Sequence, residues 1–216
     1  MLAIDLSLSS LAYAKRKSEE LGVKNIDYMQ ADILALGRLN EQFDIIESAG
    51  VLHHMDNPMA GWKVLTDCLK SGGLMNIGLY SELARQHIVK IRREISKAAI
   101  SSSDAEMKSF RETLIKSEKT HHKQISNSLD FYSMSTLKDL LFHVQEHRFT
   151  IPQIQECLSK LGLKFCGFSV SEKVSHFKRT NNNNDDLYDL DKWLVYEKAN
   201  PRAFAGMYQF WCQKVE

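Results

Sequence analysis

The chain has 216 residues, 44% apolar and 25% charged, an ordinary globular composition with room for one domain and an insertion. Its 28 Lys and Arg against 27 Asp and Glu leave no cationic excess for a dedicated nucleic-acid binder, and no apolar run approaches the ~18 residues that span a bilayer. There is no basic-apolar-small export signal, and Cys68, Cys157, Cys166 and Cys212 form no C-x-x-C pair, so reduced thiols and a cytoplasmic location are expected.

Residues 2–5 read as a short apolar strand ending in a carboxylate, Asp5. Ser7 caps a predicted helix over 8–21, with Leu8, Leu11, Ala12 and Leu21 on one side and Gly22 as its stop. A second strand over 26–31 ends at Asp32, and a third over 43–47 is short and apolar, as a strand covered on both faces should be. Asn57-Pro58 opens a helix with Asn as cap and Pro in the first turn, its inward stripe formed by Trp62, Leu65 and Leu69. Gly72-Gly73 then turns the chain into a fourth strand, 74–80. Strand and helix alternating in this way indicate a parallel sheet with right-handed crossovers.

Residues 82–148 break the rhythm. Ala84, Ile88, Ile91, Ile95 and Ala98 mark one amphipathic helix; Ser101 to Asp104 interrupt it, and Met107, Phe110 and Leu114 mark a second. A further short helix is expected near 135–142, and the whole segment reads as a helical lid over the substrate. The α/β rhythm returns with a helix from Ile151-Pro152 to Leu161 and a strand over 163–168. A polar loop at 181–186, a helix over 187–199 and an aromatic strand over 206–212 complete the chain. In that last strand Met207, Tyr208, Phe210 and Trp211 are read as core packing.

In an open parallel sheet, ligands bind beyond the carboxyl ends of the strands, which here carry Asp5, Asp32, Glu47-Ser48 and Tyr80-Ser81. A carboxylate at Asp5 is suited to the ribose hydroxyls of a nucleotide-like cofactor, though an NAD-binding domain places an acid there too. Asp32 can accept from an adenine amino group while Ile33 packs on the ring; the alternative is a cap on the turn 33–36. The glycine-rich turn that accompanies such an acid belongs about 20 residues before it. Only four residues precede Asp5, so the chain is expected to begin inside its own domain, as a truncated reading frame or gene fragment.

The run Phe43-Asp44-Ile45-Ile46-Glu47-Ser48 leads into Val51-Leu52-His53-His54-Met55, a helix, and Leu69-Lys70-Ser71-Gly72-Gly73-Leu74. This series resembles the class I S-adenosylmethionine-dependent methyltransferases over residues 2–81, and the last helix and strand extend the resemblance over 150–213. It implies a Rossmann-like, doubly wound, mostly parallel sheet with a helical lid and an antiparallel last strand beside the fourth. The chain divides on this basis into 1–81 and 149–216 as two parts of the core and 82–148 as the insertion. S-adenosyl-L-methionine is the implied cofactor, with Asp5 on its ribose, Leu6 against the adenine, Asp32 and Ile33 on the adenine edge and face, and Glu47 and Ser48 beside the methionine portion. The implied partner is a small-molecule or protein methyl acceptor, with no nucleic acid and no membrane. The family's first strand, which carries the glycine-rich motif, is missing from the pattern. Its absence exposes two strand edges for self-association and puts the activity of this chain at issue. A non-catalytic remnant acting as an interaction module and an NAD-dependent oxidoreductase are the alternatives.

Among the histidines, His53 is a candidate base or hydrogen-bonding group at the pocket, the alternative being a structural role after the third strand. His143-Val144-Gln145-Glu146-His147 formally matches the H-x-x-E-H zinc pattern, but it runs into Arg148 to Pro152 at a predicted helix end and has no evident third ligand. It reads instead as a lid segment with His143 facing substrate, and no metal is assigned. His121-His122 is expected on a solvated helix face.

Overall fold

The computed structural model describes residues 1–142, 145–181 and 183–215. Strand β1 (Leu2–Asp5) leads to helix α1 (Leu8–Glu20). Ser7 caps that helix by accepting the Ser10 amide, and Gly22 leaves it at φ +71°. Strand β2 (Asp27–Gln30) follows, then a 3-10 turn over Ile33–Leu39 and strand β3 (Phe43–Ala49). Helix α2 (Pro58–Asp67) starts as expected, with the Asn57 side chain accepting the Ala60 amide and Pro58 in the first turn.

Strand β4 (Leu69–Leu79) is longer than the sequence suggests. Leu69 belongs to this strand and not to the helix before it, pairing with Phe43, while Leu74 already pairs with Ile45. The excess residues of β4 are taken up around Gly72 at φ +73°, so the glycine pair makes an excursion inside the strand instead of a turn ahead of it.

Helices α3 (Gln86–Lys97), α4 (Asp104–Lys116), α5 (Thr120–Ile125) and α6 (Met134–Leu137) form the inserted segment, with a π-helical turn over Lys138–Phe142. Ser103 caps α4, and Ile88, Ile91 and Ile95 are buried as the periodicity predicts; Ala98, beyond the last turn of α3, is exposed. Helix α7 (Ile151–Lys160) opens with a full capping box between Thr150 and Gln153. Strand β5 (Leu163–Phe168), helix α8 (Ser171–Thr180), helix α9 (Leu190–Ala199) and strand β6 (Tyr208–Lys214) complete the chain.

The strands form two sheets. One is the parallel pair β1-β2; the other has the order β3-β4-β6-β5. β3 and β4 are parallel, and β6 runs antiparallel to both β4 and β5, so β6 alone in that sheet opposes its neighbours. Among the described residues β1 and β3 each pair on one side only. The two-stranded sheet is joined to the rest by side chains: Ile4, Met29, Ala31 and Ile33 pack against the main core, around Trp62, Leu69, Met75, Ile77, Tyr208 and Phe210. Residues of the inserted segment build a separate apolar cluster, with Ile91, Ile95, Leu114, Ile125 and Phe131 at its centre.

Candidate active site

Asp5 and Asp32 come to the same end of the parallel β1-β2 pair. Asp5 is opposite Gln30 in register, and Asp32 lies two residues beyond Gln30. Both are exposed. Asp5 Oδ1 accepts the Ser7 amide at 2.7 Å, and Asp32 Oδ1 accepts the Leu34 amide at 2.9 Å. The capping role considered for Asp32 is therefore present, and in both residues the second carboxylate oxygen has no hydrogen-bond partner among the described residues. Leu6 is 68% exposed beside them, while Ile33 packs toward the core.

At the end of β3, Glu47 is exposed and Ser48 is buried, with its Oγ lacking a partner among the described residues. Gly78 on β4 permits the close approach here: a Cβ on it would meet Met207 Sδ at 2.8 Å and the Ala49 Cα at 2.9 Å.

The sequence places His53 at the pocket as a base; the structure encloses it. Its ring is fully buried, stacked on Tyr80 at 3.8 Å between centroids and edge-on to His54 at 4.4 Å. A base must reach the proton it removes, and as packed this ring has no solvent-exposed surface. His53 holds Tyr80, and Tyr80 in turn lies beneath the Arg85 guanidinium at 3.5 Å. Burial pushes the Tyr80 hydroxyl above its usual range, opposed by Arg85.

Arg85 joins a charged group that the sequence reading missed. Its Nε and Nη2 donate to the two oxygens of Glu146 at 3.1 and 2.8 Å, and Arg92 Nη2 donates to the same carboxylate at 3.0 Å. Residues 145–148 are not helical, and Glu146 is committed to these arginines. His143 lies outside the described residues. The segment is tied to the strand ends: His147 N–H donates to His53 O, Phe149 N–H donates to Tyr80 O, and Ser81 bridges to Phe149.

Behind Tyr80, Glu197 accepts from Ser81 Oγ at 2.8 Å and from Tyr208 OH at 2.6 Å, all three buried. Burial pushes this carboxyl above its usual range against the pull of both hydrogen bonds. Spacing alone gave no signal for Arg85, Glu146 or Glu197: Glu146 is 61 and 54 residues from Arg85 and Arg92, and Glu197 is 116 and 11 residues from Ser81 and Tyr208. A surface cavity of about 410 Å³ between α8 and α9, lined by Lys173, His176, Arg179 and Arg202, shares no residue with these groups.

The family model described as a methyltransferase domain matches residues 1–77, which contain Asp5, Asp32, Glu47, Ser48 and His53. Over these residues the chain is similar to the methyltransferase domain family. A ubiquinone biosynthesis O-methyltransferase of Parvibaculum lavamentivorans is 32% identical over 91 residues, 42% of this chain and 36% of that protein. An uncharacterized protein of Synechococcus sp. is 25% identical over 209 residues, 90% of this chain and 49% of that protein. PKMT2 from Rickettsia typhi, solved in complex with AdoHcy, has a TM-score of 0.66 and 16% identity over 98% of this chain and 43% of that one, a likeness of fold. The chain spans half or less of the length of these relatives. The Rossmann-like methyltransferase fold and the antiparallel last strand beside the fourth are as the sequence implies. The methyltransferase family uses S-adenosylmethionine, and none of these likenesses supports the NAD-dependent reading. No described helix is long and apolar enough to cross a membrane.

Proposed function

We propose that this methyltransferase domain holds the adenosine end of S-adenosylmethionine and serves methyl transfer to a small-molecule or protein acceptor beneath the segment 82–148. The observation that carries the reading is the pair of exposed carboxylates, Asp5 and Asp32, side by side at one end of two parallel strands. Asp5 is suited to the ribose hydroxyls and Asp32 to the adenine amino edge, with Leu6 and Ile33 offering apolar surface to the ring. Glu47 and the unpartnered buried hydroxyl of Ser48 fit the start of the methionine portion.

When bound, the sulfonium supplies a methyl group already activated for in-line displacement, the electron pair of the breaking carbon–sulfur bond returning to sulfur. The chain's own contribution is alignment of the acceptor and exclusion of water. His53 acts here as a positioning residue, fixing the Tyr80 ring at the end of β4.

The residues named here fit the adenosine portion. Calorimetry should find both adenosine and S-adenosylhomocysteine binding this chain. Asp5→Asn and Asp32→Asn keep the oxygen that caps the backbone but lose the charge. Each should weaken both ligands by roughly 10- to 150-fold, as loss of a charge-assisted hydrogen bond of about 1.5–3 kcal/mol requires. Binding that is absent, or equally tight in the double variant, defeats the proposal.

A second reading rests on the two one-sided strands. Ile45 on β3 is 56% exposed, and its strand edge is open to pairing with another chain. Light scattering after size exclusion should show a mass that rises with concentration, and Ile45→Lys should return it toward the monomer. A monomeric mass at every concentration excludes self-association.

A further inference from the structure

His121 and His122, expected on a solvated face, are drawn instead onto Glu94. The reason is that α5 packs its Ile125 beside Ile91 and Ile95 of α3, which turns the start of α5 toward that helix. His122 is buried and His121 half-buried. His121 Nε2 lies 2.9 Å from Glu94 Oε1, and His122 Nε2 lies 2.6 Å from Oε2. The three ligand atoms fall within 4.8 Å of one another. Lys119 Nζ, on an exposed side chain, also reaches Oε1 at 3.1 Å. Burial would raise the Glu94 carboxyl, but hydrogen bonds from His121, Lys119 and His122 prevail and hold it at about 2.

We infer that Glu94, His121 and His122 form a binding site for a zinc-class divalent cation that cross-braces α3 and α5. Two imidazole nitrogens and one carboxylate oxygen are the donor set that zinc, cobalt and nickel take, and a poor one for magnesium or calcium. Tetrahedral zinc with bonds of about 2.0–2.2 Å separates its ligand atoms by about 3.3 Å. The His–carboxylate spacings of 2.9 and 2.6 Å must open by a few tenths of an ångström, and ligand atoms now up to 4.8 Å apart must close toward that separation. Each Nε2 proton that now points at the carboxylate moves to Nδ1 or to solvent, and the Lys119 ammonium swings out as the dication takes its place. The Nδ1 of His122 has no partner among the described residues, so the change of tautomer breaks no hydrogen bond there. Three protein ligands leave one coordination position for water. The site joins helices 27 residues apart in sequence across the apolar cluster of the inserted segment, so its occupancy stabilises that segment and not the sheet.

The test uses the tag-free chain after chelator treatment. One equivalent of cobalt should give the intense visible absorption of a four-coordinate centre, zinc should displace it, and magnesium or calcium should not. His121→Ala and Glu94→Gln, both at partly exposed positions, should each weaken cobalt by more than the roughly 10–100-fold that losing an outer-shell partner costs. His176→Ala, outside the site, should leave it unchanged. Zinc should also raise the melting temperature of the unmutated chain, a readout independent of how the variants fold. Absence of both the cobalt spectrum and the zinc-dependent stabilisation overturns the inference, as does binding that survives in both variants.

Discussion

Replacing Glu146 by Ala should destabilise the chain by about 3–5 kcal/mol, read as a fall in the urea midpoint with the slope preserved. The Glu146 side chain is 1% exposed and that of Arg85 is 4% exposed. Arginine cannot shed its proton, so removing the carboxylate leaves a buried guanidinium with only the Tyr80 ring beneath it. Arg92, which donates to the same carboxylate, is better placed to recover because its side chain is 18% exposed and it also donates to the carbonyl of Leu140. Removing both charges should be far milder: the pair Arg85→Met with Glu146→Leu is expected near neutral, since an apolar pair avoids the desolvation of two ions. A Glu146→Ala cost below about 1 kcal/mol would show that water reaches Arg85 and that the pair is not a buried one.

Trp193→Ala should cost about 3–5 kcal/mol, the range for deleting a buried aromatic. The indole is fully buried, stacked on Phe177 at 3.9 Å and 16°, and edge-on to Phe168 at 4.9 Å. Its Nε1–H donates to the carbonyl of Leu187 at 2.9 Å. Trp193→Phe keeps the stack and loses that bond, so it should cost only about 1–2 kcal/mol. Because Phe177 is the buried side chain of α8, the alanine variant should also release that helix, seen as faster amide exchange over residues 171–180. Protection of α8 unchanged by the alanine variant would contradict this account.

The parts of the fold legible in the sequence were those governed by local rules. The caps at Ser7 and Asn57 work through side chains three residues from the amides they satisfy, each where the pattern put it, and Ser103 caps α4 within the interrupting run 101–104. The burial of Trp62, Tyr208 and Phe210 follows from the spacing of apolar residues. The misplaced Leu69 has a tertiary cause, since pairing with Phe43 draws it into the sheet before the glycines. Helix α8 gave no periodic signal because its sequence is mostly polar and only Phe177 is buried. In the site, Asp5 and Asp32 were legible as residues that end strands. His53 was placed correctly in the chain, but its burial depends on Tyr80 and on the distant segment around His147. The Glu94 cluster was invisible because the packing of Ile125 on α3, not the pattern of α5, decides which way His121 and His122 face.

The position of β6 between β4 and β5 governs the order of assembly. Neither neighbour pairs with the other, and the strand that links them comes after both in the chain. During synthesis at roughly 5–20 residues per second, the emerging polypeptide must wait for residues 208–214 before β5 can be joined by hydrogen bonds to the strands already made. Until then the inner edge of β4 is exposed on the ribosome, where a chaperone, or the same edge on a neighbouring nascent chain, can reach it first.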